Sequence, residues 1–270
     1  NNGQRLYLIS EDHVIWEKSV DGNLDKVTVN KNGYVSAIVT GTTYKSVIIT
    51  YDEKGNELFK TYLSKTIAVD ACVSPDNAEF AYAEVNNSGT TIQSNIKIIS
   101  IKDVKEKNTE PKYEYNAAQG SLILRIKYQD KGRLICMYDD SIHKFETGVD
   151  VELTKLNEDN PKITFADIEL NNYIFRTYEK STSLFSADTI IEMQNTSNGK
   201  ENVYTIEEVA KSVVSNNNVI AVNLGNEVYF VETNAWLIKR YSSSQVIEKI
   251  ILGDGVAGII YSDKIEIVNL

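Results

Sequence analysis

The stretch "VSPDNAEFAYAEV", residues 73–85, reads as an apolar strand, a four-residue turn and a second strand, and it is one of six such hairpins along the chain. The others span residues 27–39, 122–138, 163–178, 210–224 and 246–261, turning at 30–33, 129–132, 171–172, 216–218 and 253–255. Every turn contains Asn, Asp or Gly, the residues that tolerate positive φ where a tight hairpin demands it. In Ser74-Pro75-Asp76-Asn77 the proline also pre-sets the first turn angle.

A further β-rich run follows each hairpin, at 47–49, 96–99, 142–145, 190–193, 228–231 and 265–268, and a seventh of the same type, 6–9, stands near the N-terminus. Several of these turn into a fourth, more polar strand, as in "VIITYDEKGNELFKTYL" and "LYLISEDHVIWEKSV". The unit is therefore four antiparallel strands, repeating close to the ~40–45 residues of propeller blades. Helical periodicity is nearly absent, and "TIEEVAKSVV" after Thr205 is read as strand because it coincides with a repeat position.

One four-stranded sheet of this length cannot bury both faces, whereas stacking sheets around an axis covers them and removes most free edges. The expected fold is an all-β propeller of four-stranded antiparallel blades, a single domain over residues 1–270. Innermost strands should be nearly continuous in apolar residues, as "VIEKIIL" and "IAVDACV" are, and fourth strands at the rim polar, as "ELFKTYL" and "LIKRYSS" are. Six repeats are counted. The economical closure lets 14–20 complete the blade begun by 246–270 and leaves 6–9 surplus; a seventh blade, using that surplus strand, stays open.

"GQRLYLISEDHVIWEKSVDG" resembles the repeat of quinoprotein-type propellers, in which an apolar strand, a short polar turn and an Ile-Trp pair follow one another. "VSPDNAEFAYAEV" is similar to the Ser-Pro-Asp-Gly turn of WD40-like and TolB-like repeats, with Asn77 in place of the glycine. Over most of its length the chain resembles a group of clostridial-type bacterial propellers of unknown function, carried on an N-terminal membrane anchor outside the cell. The resemblance implies an extracytoplasmic location and no activity. Quinone-binding relatives use many more tryptophans than Trp16 and Trp236, both expected on rim strands, so no cofactor is expected.

A chain of 270 residues, 42% hydrophobic and 24% charged, belongs among globular proteins that need no staple to hold a core. Its formal charge of −10 repels phosphate backbones, and the densest positive stretch, "IKDVKEKNTEPK", interleaves lysines with acids as a solvated loop, so no nucleic-acid partner is expected. No run approaches the ~18 apolar residues of a membrane span, so this segment is not expected to insert. It opens on Asn1 rather than methionine, which reads as a processed form or an engineered fragment. Cys72 and Cys136 lie in apolar strands and read as buried thiols, with a single disulfide as the alternative.

Catalytic signals are sparse. His13 falls in a turn and His143 on a third strand, both read as solvated, and neither has the neighbouring His or Cys of a transition-metal site. A Ser-His-Asp triad has no nucleophile-elbow sequence to support it. "YDD" at 138–140 and "YSD" at 261–263 could bind Ca²⁺ or a sugar, and turn formation explains them equally well. Most of the sixteen tyrosines fall on strands, where packing accounts for them. Three loops between second and third strands are longer than a turn requires: "TGTTYKS", "NNSGTTIQS" and "EKSTSLFSA". They are rich in Thr and Ser and carry Tyr44, Ile92 with Gln93, and Phe185, the candidate binding residues. The sequence thus reads as a non-catalytic binding or scaffold module with a protein or glycan partner. The alternative is a carbohydrate-active hydrolase or lyase with acidic residues at the propeller channel.

Overall fold

A computed structural model describes residues 4–157, 161–183 and 186–270. The chain divides into two compact units, 1–152 and 153–270. The first opens with a two-stranded sheet, β1 (Arg5–Ile9) and β2 (Val14–Ser19). Three four-stranded sheets follow: β3 (Asn23–Val29), β4 (Val35–Thr40), β5 (Ser46–Tyr51), β6 (Glu57–Leu63); then β7 (Ile67–Val73), β8 (Glu79–Asn86), β9 (Gln93–Ser100), β10 (Tyr113–Asn116), with helix α1 (Ile101–Lys105) between its last two strands; then β11 (Ile123–Asp130), β12 (Arg133–Tyr138), β13 (Ser141–Glu146), β14 (Val149–Lys155), the last crossing the unit boundary.

The second unit holds β15 (Ile163–Asp167), β16 (Tyr173–Ser181), β17 (Ala187–Asn195), β18 (Glu201–Ile206); β19 (Ser212–Asn216), β20 (Val219–Asn223), β21 (Glu227–Glu232), β22 (Leu237–Ser242); and a three-stranded sheet, β23 (Lys249–Leu252), β24 (Val256–Ile260), β25 (Ile265–Asn269). Strands within each sheet are hydrogen-bonded in chain order. These are the blades of a β-propeller.

Each of the six expected turns contains one residue in the left-handed region: Gly33, Asn77, Gly132, Asn172, Asn217 and Gly255, with φ between 54° and 81°. The turn asparagines also bridge to the next blade. Asn30 donates its amide to Ser74 O (2.9 Å) and Asn77 Oδ1 (2.7 Å), and Asn32 donates to Pro75 O (2.8 Å). In the second unit Asn216 donates to Leu252 O (3.0 Å). Turn chemistry and blade stacking are thus served by the same side chains.

Within each unit the blades meet face to face through dry clusters. Ile38, Ile48 and Phe59 of one blade pack on Ala71, Phe80 and Ile99 of the next, and Ala81 and Ile96 on its opposite face pack on Ile126, Leu134 and Phe145. Phe175 and Ile191 meet Ile220 and Val222, while Ala221 and Phe230 meet Ile250 and Ile259. Residue parity along a strand assigns each side chain to one neighbour, as the two-residue pleat requires.

A buried hydroxyl at or near the start of the third strand fastens one blade to the first strand of the next. Ser46 Oγ accepts from Ala68 N (3.1 Å), Ser94 Oγ from Ile123 N (3.2 Å) and Thr189 Oγ1 from Ala210 N just ahead of β19 (2.8 Å). Four first strands also carry a register shift near their beginning, at Leu24/Lys26, Ala68/Asp70, Ile123/Arg125 and Ile163/Phe165. Beyond one of these bulges the carboxylate of Asp70, 2% exposed, joins three blades: it pairs with Lys26 (2.9 Å), caps Ala71 N and accepts from Ile126 N (2.9 Å). Complete pairing makes such a buried charge tolerable.

Three expectations are corrected. Burial peaks at second and third strands, where β4, β5 and β8 are almost wholly buried, whereas first strands such as β3 alternate between half-buried and exposed. Middle strands are paired on both edges and covered on both faces; a first strand keeps one edge open. The lysine-rich stretch read as a loop begins with α1, capped by Ser100 and anchored by buried Ile101, and this insertion lengthens the interval between the second and third turns. A single turn is too short to show helical periodicity. Strand 6–9 is not surplus: as β1 it pairs along its length with β2, and Leu6 and Trp16 of this hairpin pack on Val35, Ala37 and Ile49 of the β3–β6 blade. The stretch after Thr205 contains no helix; β18 and β19 flank a short connection there.

Ser94 Oγ also donates to Ser121 O (2.8 Å), so Ser94→Ala leaves a buried donor and an acceptor without their partner. Equilibrium denaturation should show a loss of about 1–3 kcal/mol, against no measurable change for the exposed Ser88→Ala. Burial pushes the Asp76 carboxyl up, but hydrogen bonds from the Ser74 hydroxyl and the Ala78 N–H outweigh it and hold it below its ordinary value of 3.8. A depressed carboxylate stabilises the fold above the unfolded-state value, and that contribution is lost as pH falls through the folded value. Stability measured downward from about pH 4 should therefore fall less steeply in Asp76→Asn than in the parent.

Candidate functional site

Cross-strand pairing in the β3–β6 blade sets the floor of a cavity. Val39 lies opposite Val47, and Val47 opposite Tyr62; two residues along, Ile49 lies opposite Lys60. These side chains share the face turned toward the β1–β2 hairpin, where the valines and Ile49 are buried while Lys60 and Tyr62 remain exposed. The loop after β4 supplies Thr42, Thr43 and Tyr44, and the β2–β3 connection supplies Asp21, closing a cavity of about 180 Å³. That is below the roughly 300–1,000 Å³ of pockets for drug-sized ligands, and suits one side chain or one sugar ring.

Two aromatic rings frame the opening. Tyr44 and Tyr62 are 40% and 51% exposed, their centroids lie 4.7 Å apart at an interplanar angle of 43°, and the Lys60 ammonium stands 5.4 Å above the Tyr62 ring. The loop is braced from within, since Thr42 Oγ1 accepts from Tyr44 N (3.1 Å) and donates to Tyr44 O (3.2 Å). Gly22 makes the close approach of the two connections feasible: at φ 128°, a Cβ there would lie 2.4 Å from Thr40 O and 2.9 Å from Val39 Cγ1.

Of the sequence candidates, Tyr44 sits on this cavity. The loop carrying Ile92 is joined to it through Lys45, whose ammonium donates to Asn87 Oδ1 (3.1 Å) and to Lys65 O (3.1 Å). Ile92 is 36% exposed, and Gln93 is half-buried with its amide donated to Ala117 O (3.2 Å) and Ser94 O (3.4 Å). Phe185 lies outside the described residues. Sequence reasoning passed over Tyr62, Lys60 and Asp21. The available signal was the spacing of Lys60 and Tyr62 two residues apart in a fourth strand, which puts a cation and an aromatic on one face beside Val47 and Ile49 of β5.

The remaining chemical candidates are engaged elsewhere. His13 Nδ1 lies 2.7 Å from Asp12 Oδ1 and 3.0 Å from Ser10 Oγ, on an exposed turn. Serine and carboxylate converge on the same ring nitrogen, so the imidazole cannot carry a proton from one while being held by the other at its opposite nitrogen, as a triad requires. His143, read as solvated, is half-buried between Tyr138 and Phe145 and bonded through Nδ1 to Asp150 (2.7 Å), because its strand face packs against aromatic neighbours. Asp139 accepts from Leu122 N (2.8 Å) and Asp140 from the Ser141 and Ser121 hydroxyls, which tie the β12–β13 turn to the residues leading into β11. In the other tripeptide, Tyr261 N bonds Lys264 O (2.9 Å) and the Tyr261 hydroxyl meets that of Tyr241 (2.7 Å). Cys72 and Cys136 are thiols on adjacent blades, and burial pushes the Cys136 thiol well above its usual range. Among the described residues no group of three His, Cys, Asp or Glu side chains could hold a metal ion, and no helix is long and apolar enough to cross a membrane.

Gly22→Ala should lower stability by about 1–3 kcal/mol through backbone strain and overpacking. Gly120, at φ 94° with open space around it, provides the control: Gly120→Ala carries the backbone strain without the clash, so its loss in a denaturant titration should be the smaller.

The solved structures most informative about this architecture are propellers at low identity. The β-propeller domain of the trilobed protease from Pyrococcus furiosus, described as having an open velcro topology, is 12% identical with a TM-score of 0.58, covering 92% of this chain and 86% of that one. Hsv2 from Kluyveromyces lactis is 10% identical, TM-score 0.54, with coverages of 90% and 73%. The C-terminal WD40 domain of Sif2 is 11% identical, TM-score 0.51, with coverages of 100% and 90%. At these identities the likeness speaks for the fold. A comparison with curated proteins found no match. Across residues 1–270 the sequence matches the model of DUF5711, described as a family of unknown function, and the chain belongs to that family.

Proposed function

We propose that residues 1–270 act as a single β-propeller domain, a non-catalytic binding or scaffold module that recognises a protein or glycan partner through the cavity framed by Tyr44 and Tyr62. The observation that carries this reading is a contrast. The histidines and the paired aspartates that could have served catalysis are engaged in turns and strand contacts, while two adjacent tyrosines stand exposed over an apolar floor. Tyrosine offers a large rigid surface with a polar tip at small entropic cost, which is why it is favoured at recognition sites. Lys45 extends the surface to the neighbouring loop at Asn87, so a partner larger than the cavity can rest on both.

The resemblance of the repeats to anchored bacterial propellers supports placing the module on the outer side of a bacterial membrane. Protease shaving of intact source cells, expected to degrade the protein, tests that placement; full protection would reject it.

Affinity measured against a partner purified from the source envelope should fall about thirtyfold in Tyr62→Ala, the effect of truncating a central aromatic anchor worth ~2 kcal/mol. Release of reducing sugar ends from polysaccharide by the purified protein, surviving Tyr62→Ala, would instead favour an enzyme.

A further inference from the structure

At the Tyr44–Tyr62 cavity, polar side chains from three separate segments, the β2–β3 connection, the loop after β4 and β6, converge without a hydrogen-bond partner among the described residues. Elsewhere in the first unit Asp52 accepts from the Lys54 and Asn56 N–H groups, Asp76 from Ala78 N, Asp139 from Leu122 N and Asp140 from the Ser141 hydroxyl. Among the described residues, the Asp21 carboxylate, the Thr43 hydroxyl and the Tyr44 and Tyr62 phenols have no hydrogen-bond partner in the protein, and the Lys60 ammonium has the Tyr62 ring alone. Five side chains thus place unengaged donors and acceptors around one apolar floor.

We propose that this cavity takes one uncharged sugar ring of a glycan, an inference that rests on the reading of the same cavity as a recognition site. The opposite charges of Asp21 and Lys60 give the rim no preference for an ionic ligand, while together they offer an acceptor and a donor to neighbouring hydroxyls. An apolar peptide side chain would fill the floor and leave these polar groups without partners at a closed interface, which is costly. A sugar ring satisfies both demands: its C–H face rests on the tyrosine rings and its equatorial hydroxyls reach the rim. About 180 Å³ admits one ring, so adjoining residues of the glycan would lie across the loop surface toward Asn87.

The test is calorimetric titration of the full 270-residue chain with three neutral probes, the linear hexasaccharides of glucose, mannose and N-acetylglucosamine. At least one should bind, with an affinity unchanged between low and high salt because no ion pair is formed. Tyr62→Ala and Asp21→Asn should each weaken that binding at least tenfold, with circular dichroism showing both variants folded at the titration temperature and Asp21→Asn, at an exposed carboxylate, keeping the parent's thermal midpoint. Tyr7→Ala, on the outer face of the β1–β2 hairpin, should bind as the parent does. Sugar binding that both cavity variants retain would overturn the assignment. If no probe binds but Tyr62→Ala still loses a protein partner, the sugar proposal fails and the recognition reading stands. If neither sugars nor a protein depend on Tyr62, both fall.

Discussion

Everything within each unit depends on successive sheets burying their apolar faces against one another. A single blade is four short strands, too little to dry its own surfaces, and the side chains that would otherwise be wet are shared between successive blades as continuous clusters. Such apolar faces slide easily, since dispersion contacts have little directional preference. Direction comes from a few polar groups placed inside the stack: the hydroxyls of Ser46, Ser94 and Thr189 and the carboxylate of Asp70, each bonded to a backbone N–H near the first strand of the next blade. The dry surface supplies the attraction, and the hydrogen bonds fix the register.

The candidate site is a by-product of where that stacking thins. The β3–β6 blade meets a complete blade on one face and a two-stranded hairpin on the other. The hairpin covers Val35, Ala37 and Ile49, but Lys60 and Tyr62 on the outermost strand stay uncovered on that side. The loop after β4 folds back over the remaining gap. A surface that in a fully stacked blade would be occupied by a neighbour becomes a lined hollow.

Repetition made most of the architecture readable from the sequence. Six turns built from Asn, Asp and Gly marked the hairpins because left-handed backbone is a local requirement, met within four residues, and the third strands followed by spacing. What escaped was non-local or very short. The bulges at Leu24/Lys26 and Ala68/Asp70 have no compositional mark, and α1 is a single turn whose stability comes from Ile101 packing under its neighbours rather than from its own pattern. Tyr44 could be picked out as an aromatic on a long polar loop. Its partner Tyr62 lay eighteen positions away on an ordinary-looking rim strand, and the pairing of Val47 with Tyr62 is visible once the register is known.

The bulges near the start of the first strands bear on how such a chain can change over evolutionary time. In a paired strand, gaining or losing one residue exchanges the inward and outward sets along the rest of the strand, and the sheet is ruined. A strand that already carries one residue more than its partner contains a point where the count can change while the rest stays in phase. Blades of unequal length, drifting independently in sequence, could then keep the same faces turned toward one another through many generations of insertion and loss.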